Sequence, residues 1–391
     1  MALDKVPVSM MIAMDSASET APANPTVGQR WFRLSSGVTY QYTNDGTSSF
    51  WLDVTSGGIG TSAERGVDFV GDIDPHKATN GTGLAVGSVY YNRENNRHFV
   101  CTDASNNANI WSGRYAGTGG IVTDYLLSGT YYRVHTFLTS GIFSMEDTTT
   151  CDFLIVAGGG GAGGDASAGA GAGGVRSSIS STGGGGSVES ALVITSGVYP
   201  ITIGAGGVGK AGDVHGEPGT NSNIGALKSC AGGGGSPGHA YGHAAAKANG
   251  GSGAGAFGTQ TGNANTVGTA VSGEGFVGGA SPSSHQAGGG GGGAGAVGTA
   301  ATSTVAGNGG AGITNTIRDG STAVQYGGGG GGGKVSGGTA GSASHGGGAG
   351  KVSGSGNSGT ANTGGGGGGS ANGGVGGNGG SGIVIIRYAL N

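Results

Sequence analysis

Residues 151–164, CDFLIVAGGGGAGG, begin as a strand and dissolve into glycine; residues 379–388, GGSGIVIIRY, leave glycine and end as a strand. The chain carries 100 glycines in 391 residues, with pure runs at 288–293, 327–333 and 364–369. Runs of this kind ordinarily read as flexible linker. A linker does not terminate in Ile-Val-Ile-Ile. The two apolar brackets therefore place the glycine inside a folded domain.

Composition narrows the alternatives. Seventeen basic and 21 acidic residues give a net charge of −4, charged residues are 10 % of the chain and apolar residues 35 %. Charge-driven disorder needs more charge and less apolar content. Without a basic excess, nucleic-acid binding has no electrostatic support. No apolar run approaches the roughly 20 residues of a membrane span, so membrane insertion is not expected. The N-terminus, MALDKVPVSMMIAMDSASE, lacks the basic and long apolar segments of a signal peptide. Cys101, Cys151 and Cys230 are odd in number and widely spaced, which predicts free buried thiols rather than a disulfide framework. The glycines keep no strict three-residue period and there are only eight prolines, which excludes collagen.

Working outward from the brackets, the composition changes near residue 120. All three tryptophans, Trp31, Trp51 and Trp111, precede it, and from 158 to 382 the only aromatics are Tyr199, Tyr241, Phe257, Phe276 and Tyr326. Within 23–57, WFRL (31–34), TYQYT (39–43) and FWLDV (50–54) read as strands separated by turns at 35–37 and 44–46. Within 58–120, SVYYN (88–92), RHFVCT (97–102) and NIWSGRY (109–115) read as a second small module. Each is too small to be robust alone. From Tyr131 a third pattern begins with YYRVHTFLTSGIFSM, and continues through 151–157, SVESALVI (187–194), VYPITIGAGG (198–207) and the closing strand. The fold class expected is mainly β. Small N-terminal β modules precede a β-sandwich-like domain with long polyglycine-II-type insertions. No segment reads as an amphipathic helix. The domains expected are 1–22, 23–57, 58–120 and 121–391.

Glycine in a fixed conformation costs on the order of 1 kcal/mol more than alanine per residue, so folded runs need compensation. The polyproline-II helix supplies it, with about three residues per turn and every N–H and C=O directed outward to neighbours. Only glycine lets such helices approach closely. Side chains would then gather where the runs are interrupted, as in PGHAYGH (237–243), AFG (256–258), GEGFVGG (273–279) and SPSSHQ (281–286). A rigid scaffold displaying loop tips is suited to recognition.

The stretches YYRVHTFLTSGIF, CDFLIVAGGGGAGG, GVYPITIGAGG, GTANTGGGGGG (359–369) and GGSGIVIIRY, in that order, resemble the glycine-rich C-terminal domain of bacteriophage tail-fibre and tail-spike proteins, over about residues 125–391. PTVGQRWFRLSSGVTYQYTNDGTSSFWLDV (25–54) is similar to a small β module of phage tail fibres. The resemblance implies a virion tail fibre made in the host cytoplasm and assembled as a homotrimer. Residues 1–22 would attach to other tail or baseplate proteins. The distal domain would bind a bacterial surface glycan or outer-membrane protein. The candidate receptor contacts are His239, Tyr241, His243, Phe257, Phe276 and His285. Two other readings stay open: a structural fibre component that does not bind the receptor, and a polysaccharide-degrading tail spike.

Other chemistry is weak. GAGGVGK (204–210) mimics a phosphate-binding loop but has Ala211 where a magnesium-binding hydroxyl belongs, and no helix follows. GGSPG (234–238) fits a nucleophile-elbow pattern without its strand-turn-helix context. His239 and His243 have helical metal-ligand spacing, but Pro237 and the surrounding glycine oppose a helix. Asp72, Asp74 and Asn80 lack a full calcium loop. The acids Asp165, Glu189, Asp213, Glu217, Glu274 and Asp319 are scattered, with no pair suggesting glycan cleavage. No cofactor, metal or enzymatic activity is expected. Trp31, Tyr40, Tyr42 and Trp51 could stack on sugars, but read first as the core of their module.

Overall fold

The computed structural model describes residues 16–27, 29–35, 38–44, 49–53, 67–94, 97–113, 117–239, 245–258, 266–282 and 286–390. The chain divides into two compact units, Met1–Tyr115 and Ala116–Leu390. The described residues are nearly all β or extended, with a one-turn helix α1 (Ala245–Ala248) and a short 3-10 turn (Gly183–Gly185). None of their helices is long and apolar enough to cross a membrane.

The first unit contains two four-stranded sheets. One comprises β1 (Ser16–Ser18), β2 (Arg30–Arg33), β3 (Val38–Asn44) and β4 (Ser49–Asp53). The other comprises β5 (Phe69–Gly71), β6 (Val89–Asn92), β7 (Arg97–Asp103) and β8 (Ile110–Gly113). Both have the same topology: a parallel first pair followed by two antiparallel pairs. Even the register of the large side chains repeats. Trp31 faces Tyr40 and Tyr42 faces Trp51 in one sheet, while Tyr90 faces Phe99 and Cys101 faces Trp111 in the other. In the first, Trp31 is buried and stacks on Tyr40 at 5.0 Å, with Trp51 edge-on at 5.7 Å. In the second, Tyr90, Phe99, Cys101 and Trp111 form a closed core. These aromatics therefore pack on one another, as their alternation requires.

The second unit is built on a sandwich. Its six-stranded sheet runs β10 (Ile121–Leu127), β11 (Thr130–Phe137), β21 (Ile383–Ala389), β13 (Thr149–Val156) and β14 (Val175–Ser177), with β15 (Leu192–Ile194) also on β13. The five-stranded sheet runs β18 (Lys228–Cys230), β17 (Ser222–Ile224), β16 (Gly197–Thr202), β12 (Gly141–Met145) and β9 (Gly117–Thr118). A hairpin of β19 (Ile313–Asn315) and β20 (Val324–Tyr326) completes the set. Phe143, Phe153, Ile155, Ile201, Ile224, Val384 and Ile386 fill the space between the sheets. Leu154, Val156, Ile383 and Ile385 point the other way, into a second core with Tyr125, Val175, Ile317 and Tyr326. Both faces of β13 and β21 are covered, which explains why FLIV and IVIIRY are continuous rather than alternating. The expected strand at 187–194 shrinks to its last three residues, and β10, whose Ile121, Val122 and Leu126 are exposed, escaped the sequence reading. All three cysteines are buried free thiols, and burial raises Cys151 to about 12.

Between β13 and β21 the backbone forms a lattice. In the run 288–293, the N–H groups of Gly288 and Gly291 donate to Gly333 and Gly330, those of Gly289 and Gly292 to Ala256 and Gly253, and those of Gly290 and Gly293 to Thr299 and Ala296. Its carbonyls show the same rhythm. Gly288 and Gly291 accept from Gly307 and Gly310, Gly289 and Gly292 from Gly169 and Ala172, and Gly290 and Gly293 from Gly279 and Phe276. Six surrounding segments are thus each engaged at every third residue, the repeat of the polyglycine-II helix. The run 327–333 repeats the pattern, with Gly328 and Gly331 bonded to His345 and Gly348. A Cβ on Gly291 would lie 1.9 Å from the carbonyl oxygen of Ala170, and one on Gly330 2.0 Å from that of Gly367. The close approach is what demands glycine. The hydrogen bonds satisfy amides that have no side chain to shelter them.

Candidate functional site

The lattice interior is filled mostly by glycine, alanine and serine. Ser236 Oγ donates to Ala168 O at 2.6 Å and accepts from Gly163 N–H at 3.1 Å, so it serves as a cross-brace. That buried role removes the nucleophile reading of GGSPG. The phosphate-loop mimic fails as well. Five of its seven amides are already committed within the protein: those of Gly204, Ala205, Gly207, Gly209 and Lys210 donate to Ser222 Oγ, Thr220 Oγ1, Gly159 O, Asn378 Oδ1 and Ala162 O, so they do not form a cradle for an anion.

Charged side chains line the lattice margins and mostly pair. Lys210 and Lys247 lie 3.4 and 3.0 Å from Glu217, and the Lys247 hydrogen bond holds that carboxyl below its usual range. Arg176 and Lys228 converge on Glu189. Glu274 accepts from Ala231 N–H at 2.7 Å.

One constellation combines three interruptions far apart in sequence. Asp165 sits in a left-handed turn with Ala166, at φ values of 52° and 58°, a conformation aspartate tolerates better than most side chains. Its Oδ1 accepts from Gly373 N–H at 2.6 Å. Asp213 follows Gly212, itself at φ 65°, at the tip of the 210–217 excursion. His239 follows Pro237 and Gly238. Its ring meets Phe257 edge-to-face at 5.6 Å. Donor atoms of Asp165, Asp213 and His239 all lie within 4.8 Å of one another. His239 Nδ1 and Asp213 Oδ1 are 3.9 Å apart, beyond hydrogen-bond reach, and that oxygen is buried with no hydrogen-bond partner.

The contact candidates fare differently. His239 is partly exposed at this margin. Phe257 is corrected: it is only 4 % exposed, packed on Ala166 and Ala168, and props the His239 ring instead of facing solvent. The sequence offered no core to hide it because the core is a pocket of alanine methyls. Phe276 is half-buried beside the Gly183–Gly185 turn, 3.6 Å from the position a Gly185 Cβ would take. Tyr241, His243 and His285 lie outside the described residues. Asp165 and Asp213 join His239 here although the sequence shows them only as scattered acids. Asp165 interrupts a glycine-rich stretch, which is a visible signal, but its convergence with Asp213 on His239 depends on the lattice.

A family model for a glycine-rich domain matches residues 138–389. No curated protein matches the chain. The matched span opens just before β12, takes in the lattice and ends with the last residue of β21, so that it covers the lattice and the strands of the frame from β12 onward. With well over half its length accounted for in this way, the chain belongs to the glycine-rich domain family.

Proposed function

We propose that the protein is a bacteriophage tail-fibre component that binds a host-surface molecule through the margins of its glycine domain. One observation carries this reading. The lattice commits its backbone to internal hydrogen bonds and, where its runs touch, leaves no room for a Cβ, so chemical variety gathers at the turns around it. A hydrogen-bonded backbone body with its larger side chains gathered at its turns suits a recognition device. The resemblance of 125–391 and of 25–54 to phage fibre segments supplies the setting: a virion appendage, homotrimeric, held to tail or baseplate proteins through the N-terminal region, and facing a surface glycan or outer-membrane protein.

The test uses purified full-length protein on candidate bacterial hosts. The expectation is saturable cell binding that blocks phage adsorption. Combined replacement of His239, Tyr241 and His243 by alanine should weaken it at least tenfold. Substitution is preferable to deleting 236–286, because that segment contains the lattice residues 253–256 and 276–279. Wild-type protein that binds no host cell would leave a purely structural fibre component. Clearing of isolated capsule or lipopolysaccharide would instead point to a degrading spike.

A further inference from the structure

We infer that Asp165, Asp213 and His239 form a binding site for a divalent transition-metal ion of the zinc class, clamping together three excursions of the lattice. The donor set is two carboxylates and one imidazole, with ligand atoms within 4.8 Å of one another. The centre of a triangle of that side lies about 2.8 Å from each corner, against about 2.0–2.2 Å for zinc bonds to nitrogen or carboxylate oxygen, so small side-chain rotations close the shell. Imidazole favours zinc, copper, iron or nickel over calcium and magnesium.

A second observation points to a ligand independently of the clustering. Asp213 Oδ1 is sealed from solvent and makes no hydrogen bond, although 38 % of the Asp213 side chain is exposed. A buried carboxylate oxygen without a partner is costly. It faces His239 Nδ1 at 3.9 Å, a gap too wide for a hydrogen bond and only slightly wider than the ~3–3.5 Å between two donors on one ion. Other acids of the glycine domain differ. Glu189 and Glu217 each meet two cationic side chains, and Asp319 accepts the amides of Ser321 and Thr322. Among the described residues, Asp165 and Asp213 have no Lys or Arg partner.

The supports are also in place. Gly373 N–H fixes one oxygen of Asp165 at 2.6 Å, leaving the other for a ligand. The buried Phe257 ring packs edge-to-face against His239 and restricts its plane. Water would complete the coordination, since the side chains are partly exposed. This reading does not depend on receptor binding.

Tag-free, EDTA-treated full-length protein titrated with Zn²⁺, Mn²⁺ or Ca²⁺ tests the site by calorimetry and by metal analysis after desalting. One equivalent of Zn²⁺ per chain is expected, with Ca²⁺ at least tenfold weaker. Asp213→Asn and His239→Gln should each weaken Zn²⁺ at least tenfold, and His345→Gln at another turn should leave it unchanged. Melting curves in EDTA establish that each variant is folded. For the wild type alone, ¹⁵N-histidine spectra should show one imidazole moving on Zn²⁺ addition among the eight histidines. The proposal is overturned if no Zn²⁺ binds, if Ca²⁺ binds as tightly as Zn²⁺, if folded Asp213→Asn and His239→Gln bind like wild type, or if no imidazole shifts.

Discussion

In the six-stranded sheet, Ile385 is held by what its side chain touches; in the lattice, Gly291 is held by what its missing side chain lets come close. Ile385 is fully buried among Val134, Leu154, Tyr125 and Ile317. Gly291 donates to Gly330 and accepts from Gly310, and has Ala170 O where a methyl would go. The strand frame is stabilised by apolar burial, at about 25 cal/mol per Å². The lattice buries few apolar atoms and depends on paired amides, each worth only about 1 kcal/mol net but costly if left unmade. The frame should therefore be sensitive to lost atoms and the lattice to added ones.

The largest effect expected from this contrast is Gly291→Ala. The new methyl would need the Ala170 backbone to move from 1.9 Å, and Ala170 is itself tied to Gly330 and Gly367. Displacement would propagate through neighbours that share no flexible side chain. We expect a loss upward of ~3 kcal/mol or failure to recover folded protein, read by denaturant unfolding and solubility. A variant within about 0.5 kcal/mol of wild type would mean that the lattice yields locally, and the contrast would collapse.

Ile385→Ala is the matching change in the frame. It removes atoms from a site with no exposure and should cost about 2–5 kcal/mol, with the native fold retained around a cavity. The same denaturant measurement checks it. Here the prediction is a weakened but soluble protein, in contrast to Gly291→Ala.

The frame also contains a titrating element. His135 is fully buried; its Nδ1–H donates to Gly119 O at 2.7 Å and its Nε2 lies 3.2 Å from the Tyr388 hydroxyl. Burial is the main cause of its pKa falling from 6.5 to about 4. The unfolded chain therefore binds a proton near pH 6.5 that the folded chain refuses until about pH 4. This element is neutral to stability above pH 6.5, and stability declines as pH falls from 6.5 toward 4, by up to about 3 kcal/mol. Unfolding measured at pH 7.5 and pH 4.5 should show the decline, and His135→Gln should flatten that part of it.

What the sequence revealed follows the same division. FLIV and IVIIRY announced the frame because covered strands advertise themselves by composition. Trp31, Tyr40, Tyr42 and Trp51 announced the first module by alternation. The repeat of topology between the two N-terminal sheets was hidden, because β1 and β5 are three residues each and carry no alternation to read. The polyglycine-II conformation was legible from the runs, but the neighbours of each run were not. Gly288 pairs with Gly333 and Gly289 with Ala256, and nothing in an unbroken string of glycines distinguishes those partners. The same blindness concealed the Asp165, Asp213 and His239 cluster and the burial of Phe257, since both depend on which turns the lattice brings side by side.

The smallest effect sharpens the contrast most directly, because it repeats the chemistry of Gly291→Ala at a different place. Gly212 lies at the tip before Asp213, and a Cβ there would meet nothing within 4 Å. Its φ of +65° is the sole obstacle to a side chain. Gly212→Ala should therefore cost only about 1 kcal/mol, the penalty of a left-handed alanine, in denaturant unfolding. The gap between the two Gly→Ala variants isolates packing of the lattice from the conformational preference of glycine. If Gly212→Ala proved as damaging as Gly291→Ala, backbone conformation rather than close approach would be the reason for glycine throughout. If it stays near 1 kcal/mol while Gly291→Ala is lost, the glycines divide into those that permit turns and those that permit contact, and only the former leave room for variation beside the proposed recognition tips.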